Sequence, residues 1–155
     1  MLQRRGDYAI SRFILNDLLL WKNYSEAYSI GEENLEIAKE MFEDTEGAPC
    51  KALFFLGNAQ VAFSYRIYGH TLDLLEIAVA PWNARECENR QEGWGSAAMY
   101  EVFKEALSSG CKVVRALVFD SCEPFYLKLG MTKVGDGVVM QGKDLQLFVE
   151  SWRRL

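Results

Sequence analysis

The stretch "ENRQEGWGSAAMYEVFKEA", Glu88 to Ala106, decides how the rest of the chain is read. Its second half has the apolar spacing of an amphipathic helix, with Trp94, Ala98, Val102 and Phe103 on the side that would be buried. Its first half crowds Gly93, Gly95 and Ser96 where that helix begins, with Arg90 just ahead. Glycine lacks the side chain that would hold a ligand away from the backbone. A helix amino terminus also offers N–H groups without helical partners and a partial positive charge, so anions dock there. The turn therefore reads as a place where phosphates can touch the main chain, set against plain chain reversal, which also uses glycine. It carries neither the GK[ST] of a Walker loop nor the third glycine of the dinucleotide fingerprint.

Upstream lies "TLDLLEIAVAP", Thr71 to Pro81. It is apolar on both faces, the pattern of a strand in the middle of a sheet, and Pro81 stops it. Downstream, after Gly110, the β-branched run "CKVVRALVF" from Cys111 to Phe119 suits another strand. Strand, helix and strand in that order form a βαβ unit, with parallel strands and a right-handed crossover. The carboxyl end of the first strand and the amino end of the helix then meet at one sheet edge, where ligands of open α/β sheets gather.

Breaks at Gly57-Asn58 and Gly69-His70 divide residues 50–80 into three antiparallel strands. Before them, Asp7 to Leu15 reads as a first strand, although "ISRFIL" would also suit a helix, and "NDLLLWKNYSEAY" as a helix with Asn16 at its N-cap. "GEENLEIAKEMFED" is a second helix, with Leu35, Ala38, Met41 and Phe42 inward and its glutamates in solvent. After the βαβ unit, "SCEPFYLKLG" forms a short helix closed by Gly130, "TKVGDGVVM" offers a further strand, and "LQLFVESW" reads as the last strand. The expected fold is α/β: a mixed, mostly antiparallel sheet with a central parallel βαβ unit and flanking helices. Its 155 residues suit a single domain over residues 1–155.

Composition bounds the function. A formal charge of -5 argues against a nucleic-acid binder working through a basic face. The four cysteines show no CxxC spacing and His70 is the one histidine, so no metal site is expected. "MLQRRGDYAI" does not read as a signal peptide and no apolar run is long enough for a bilayer, so a cytoplasmic protein with reduced thiols and no membrane partner is expected.

Arg90-Gln91-Glu92-Gly93-Trp94-Gly95 resembles the R/Q-x-x-G-x-G/A coenzyme A loop of the GNAT superfamily of N-acetyltransferases. "LLEIAVAP" is similar to that family's central strand, and "PFYLKLGM", Pro124 to Met131, to its "FYxKLGF" segment. The three occur in the family's order and cover roughly Thr71 to Val134. The resemblance implies an acyl-CoA N-acyltransferase fold and transfer of an acetyl group from acetyl-CoA to a primary amine by direct attack in a ternary complex. It implies that backbone groups of Ile77, Ala78 and Val79 hold the pantetheine arm. The amides of Gln91, Glu92, Gly93, Trp94, Gly95 and Ser96, together with Arg90, would take the pyrophosphate. Tyr126 would protonate the departing thiolate.

For the base, the family's usual register points to Asp73, which on an alternating strand shares a face with Leu75, Ile77 and Val79. Glu76 points the other way unless a bulge reverses the parity, so both stay open, beside simple pairing of either carboxylate with a lysine or arginine. Cys122, one helical turn before Tyr126, reads as a packed thiol, and His70 as an exposed turn residue. Phe119 stands where many relatives carry asparagine, and Gln91 and Glu92 where extra basic residues are common. The acceptor is a small-molecule or protein amine, and a homodimer is allowed. The alternative is a non-catalytic acyl-CoA sensor or interaction module with the same fold.

Overall fold

Leu56 and Gly57 both have positive φ, 52° and 83°, and fold β2 (Cys50–Phe55) back onto β3 (Asn58–Tyr68). Positive φ at both central residues matches the twist of an antiparallel hairpin. The ladder runs from Cys50 opposite Ser64 to Phe55 opposite Asn58, with a register shift between Leu53 and Phe54. A second turn at Gly69 and His70 leads into β4 (Thr71–Val79). This computed structural model of the chain describes residues 8–43, 50–84, 93–118 and 122–153.

The remaining strands are β1 (Ala9–Arg12), β5 (Val113–Leu117), β6 (Thr132–Val134) and β7 (Gly137–Gln141). The seven form one mixed sheet in the order β1-β2-β3-β4-β5-β7-β6, so β4 is central, as its two-sided apolarity requires. β4 and β5 run parallel, from Thr71 beside Val113 to Leu74 beside Ala116. They are joined through α3 (Trp94–Ser108), which makes the expected βαβ unit. The other helices are α1 (Leu15–Tyr28), α2 (Glu32–Glu43), α4 (Glu123–Lys128) and α5 (Lys143–Arg153).

By packing, the chain falls into two compact units. The first comprises Met1–Ser64 and Glu76–Ala98. Its core gathers Phe13, Leu18 and Trp21 with Leu35, Ala38 and Met41 against Ala52, Ala62 and Ala78. Trp21 is fully buried, and its indole N–H donates to the Ala59 carbonyl at 3.0 Å. Buried Gln60 on β3 accepts from Trp82 Nε1 at 2.8 Å and Asn83 Nδ2 at 2.9 Å through its side-chain oxygen. Its carbonyl accepts the Ala80 N–H at 2.9 Å. These bonds fasten the exit of β4 to β3, at the 3-10 turn Pro81–Asn83. The turn between α1 and α2 closes on the same place: Gly31 has φ +71°, and a Cβ there would lie 2.6 Å from Pro81 Cα. Gly31→Ala should therefore destabilise the fold by at least about 2 kcal/mol, from left-handed strain plus a clash with backbone. Urea unfolding measures it, and an unchanged midpoint would contradict the tight approach.

The second unit comprises Tyr65–Leu75 and Met99–Leu155. Leu72, Leu74, Val114, Ala116, Val138 and Met140 are buried on one face of its strands, with Val102 and Phe103 of α3 and Leu145 and Val149 of α5 also in the core. Phe148 meets Phe103 edge-on at 4.8 Å, and Trp152 stacks on Tyr100 at 5.5 Å.

Several local expectations are corrected. "LQLFVESW" is helical, as part of α5: Leu145 and Val149 are buried while Leu147 is 57 % exposed, which is helical rather than alternating periodicity. Asn16 is not the cap of α1 but lies inside it; Ile14 occupies the cap position, where Asp17 Oδ2 accepts the Ile14 N–H at 2.9 Å. "TKVGDGVVM" forms two strands, β6 and β7, paired from Thr132 opposite Val139 to Val134 opposite Gly137. The first strand is shorter than Asp7 to Leu15. No helix among the described residues is long and apolar enough to cross a membrane.

Candidate functional site

β4 is nine residues long, and among the described residues its parallel ladder with β5 covers Thr71–Leu74. Beyond that point the strand carries Glu76, Ile77, Ala78 and Val79, with Ala78 buried and Ile77 and Val79 half-buried. Their main chain leads directly into the Gln60-anchored turn, so the strand end is held by hydrogen bonds rather than by its own termini.

In the same unit, α3 begins immediately after Gly93, whose φ is +94°. An L-residue rarely adopts that conformation, so glycine here is a backbone requirement. The first helical bond runs from the Ala97 N–H to the Gly93 carbonyl at 2.9 Å. The amides of Gly95 and Ser96 therefore precede the helical ladder. Trp94 turns its side chain inward, 1 % exposed, between the rings of Tyr8 and Phe55 at 6.1 and 6.0 Å. That anchors the first turn and leaves only backbone, Gly95 and Ser96 as its half-buried surface. Arg90, Gln91 and Glu92 lie outside the described residues, as do Cys87 and Phe119.

The two carboxylates of β4 have different surroundings. Asp73 is gripped on both oxygens by Arg115, with Nε to Oδ1 at 2.8 Å and an Nη to Oδ2 at 3.1 Å. The register explains it, since Asp73 and Arg115 are directly paired across the parallel ladder. Glu76 is half-buried with Oε2 fully enclosed, and it lies close to Cys50. Burial first, and the Glu76 charge second, push the Cys50 thiol up to about 12. His70 is exposed in its turn.

In the second unit, Pro124 sits in the first turn of α4, and the Tyr126 carbonyl closes the helix by accepting the amides of Leu129 at 3.1 Å and Met131 at 3.2 Å. Gly130, at φ +94°, makes the reversal possible. An ion pair from Lys133 to Glu123 at 3.0 Å ties α4 to β6. Tyr126 is 5 % exposed and meets Phe125 edge-on at 5.0 Å. Burial, and to a lesser degree Cys122, push its hydroxyl well above the usual phenol range. It is therefore held as a proton donor at neutral pH. Cys122 is corrected: its side chain is exposed rather than packed, at the cap position of α4. Among the described residues, no group of three His, Cys, Asp or Glu could hold a metal ion.

Arg115 escaped the sequence reading. Its signal was the one cation inside "VVRALVF", in register with Asp73 once the two strands are parallel. The buried Gln60 anchor carried no motif at all.

Neither a protein-family model nor a curated protein sequence matches this chain. Solved structures do. A protein from Desulfovibrio desulfuricans assigned to the GNAT family of acetyltransferases superposes with a TM-score of 0.62 at 19 % identity, over 86 % of this chain and 98 % of that one. The PaiA N-acetyltransferase of Thermoplasma acidophilum, solved with coenzyme A, gives 0.55 at 17 % identity, over 86 % and 96 %. A GNAT-family acetyltransferase of Brucella melitensis, solved with acetyl-CoA, gives 0.55 at 12 % identity, over 86 % and 87 %. The chain has the GNAT acyl-CoA N-acyltransferase fold.

Proposed function

We propose that this protein transfers an acetyl group from acetyl-CoA to a primary amine. The observation that carries it is where the β4–β5 ladder ends among the described residues: its last pair is Leu74 with Ala116, and Leu75 and Leu117 are already unpaired with each other, while β4 runs on to Val79. A strand edge that parts from its parallel neighbour is what a pantetheine arm needs as it lies along a strand. The coenzyme A and acetyl-CoA bound by two proteins of this fold support the choice of ligand. The amides of Gly95 and Ser96, with those of Gln91, Glu92, Gly93 and Trp94 and the Arg90 guanidinium, take the diphosphate.

The amine nitrogen attacks the thioester carbon, a carbon–nitrogen bond forms, and the carbon–sulfur bond breaks as the tetrahedral adduct collapses. Tyr126 gives its hydroxyl proton to the leaving thiolate. The attacking amine sheds its proton through water, to a carboxylate of β4, Asp73 or Glu76, or to solvent.

The test is calorimetric titration with acetyl-CoA, ATP and NAD, followed by thiol release from acetyl-CoA across a panel of amines. Acetyl-CoA binding with amine-dependent thiol release is expected. Nucleotide binding without coenzyme A binding ends the proposal, and coenzyme A binding without turnover replaces it with an acyl-CoA sensor.

A further inference from the structure

The second unit contains a cavity of about 490 Å³ on the strand face opposite its buried core. The ladder registers place Asp73 and Leu75 of β4, Arg115 and Leu117 of β5, and Val139 of β7 on that face. Asp136, in the turn between β6 and β7, also lines it. The size falls within the roughly 300–1,000 Å³ of small-molecule sites. Leu117, the last residue of β5, is 82 % exposed on this face.

We infer that this cavity is the acceptor site and that its acceptor is an α-amino acid with an apolar side chain. This rests on the acetyl-transfer proposal above and deepens it. Arg115 meets Asp73 through Nε and one edge of Nη2, which is a side-on pairing. Its end-on fork, Nη1 and the outer N–H of Nη2, has no partner among the described residues, and the side chain is 57 % exposed. That fork matches a carboxylate in bidentate geometry, and Asp73 pre-orients it.

The remaining charge decides against simpler anions. Among the described lining residues two carboxylates, Asp73 and Asp136, stand with one guanidinium, a net charge of minus one. A phosphate or dicarboxylate bound at Arg115 would face Asp136, whereas the ammonium of an incoming amino acid is attracted to it. Leu75, Leu117 and Val139 then cover an apolar side chain, removing both their surface and the ligand's from water. The ammonium loses a proton to water, its nitrogen bonds to the acetyl carbon as the carbon–sulfur bond breaks and the thiol leaves, and the carboxylate stays on Arg115 unchanged.

The experiment compares kcat/KM for leucine and phenylalanine with that for isopentylamine and phenethylamine, which are the same molecules without the carboxylate. Each is measured on the wild-type chain, Arg115→Gln, Arg115→Lys and the double variant Asp73→Asn, Arg115→Gln. Acetyl-CoA titration checks that each variant is folded. A wild-type preference for the amino acids of about tenfold to a hundredfold is expected, the effect of one bidentate charge-assisted contact. That ratio should collapse in Arg115→Gln and in the double variant, which leaves no unpaired carboxylate, and survive in part in Arg115→Lys. Equal use of both classes, a preference for the decarboxylated amines, a preference untouched by Arg115→Gln, or acetyl-CoA binding with no turnover of either class overturns the assignment. Failure to bind acetyl-CoA at all overturns the acetyl-transfer proposal with it.

Discussion

Tyr126→Phe is expected to lower kcat for amine acetylation by about 10²–10⁴-fold, the range for loss of a positioned general acid. KM for acetyl-CoA should change little, because the ring keeps its buried place and only the hydroxyl goes. The pH profile adds a second, independent readout. Burial raises the hydroxyl above its ordinary value of about 10, so the group remains a proton donor up to at least that pH. Turnover of the wild-type chain should then show no alkaline loss attributable to Tyr126 below pH about 10. The same shift has a stability consequence. The folded state holds this proton more tightly than the unfolded chain, so the contribution is complete below the unfolded value and is lost as pH rises from there toward the folded one. Tyr126→Phe removes that loss, and its alkaline unfolding should begin at higher pH than that of the wild type. Full turnover in the phenylalanine variant, with acetyl-CoA still bound, would leave the leaving thiolate to a different acid.

What the sequence made legible was whatever depends on local pattern. β4 announced itself because it is apolar on both faces, and a central strand must be. α3 did so because Trp94, Ala98, Val102 and Phe103 share a helical face, and all four are buried. α5 failed the same test for a physical reason. Leu145, Leu147 and Val149 alternate like a strand, and only packing reveals that Phe148 and Trp152 turn inward beside α3 while Leu147 does not. The cap of α1 was misplaced by two residues because Asp17 reaches back to an apolar Ile14, and side-chain type at the cap carried no signal. The site divided likewise. Motif residues such as Gly93 and Tyr126 were named in advance, but the partner of Asp73 was not, since Arg115 lies 42 residues away and meets it only through the parallel register.

The two glycines of the opening turn should respond to substitution in opposite ways, and the contrast isolates the coenzyme site. Gly93 sits at φ +94°, so Gly93→Ala should cost about 1–2 kcal/mol of stability through backbone strain alone. Gly95 lies within α3 and is not in the left-handed region. A helical glycine weakens its helix by roughly 0.5–1 kcal/mol relative to alanine, so Gly95→Ala should stabilise the fold by about that much. The helix gains nothing from glycine at this position, and in the acetyl-transfer proposal its part is to bare the amides. Gly95→Leu places a side chain over the first turn and should weaken acetyl-CoA binding by about 10²–10⁴-fold, equivalent to two charge-assisted hydrogen bonds at roughly 1.5–3 kcal/mol each. Thermal melting and calorimetric titration of the three variants read the two effects separately. Acetyl-CoA bound as tightly by Gly95→Leu as by the wild type would mean that the diphosphate lies elsewhere. Weaker binding in a variant that melts no lower than the wild type would tie the loss to blocked backbone donors, because the scaffold that presents them would be intact.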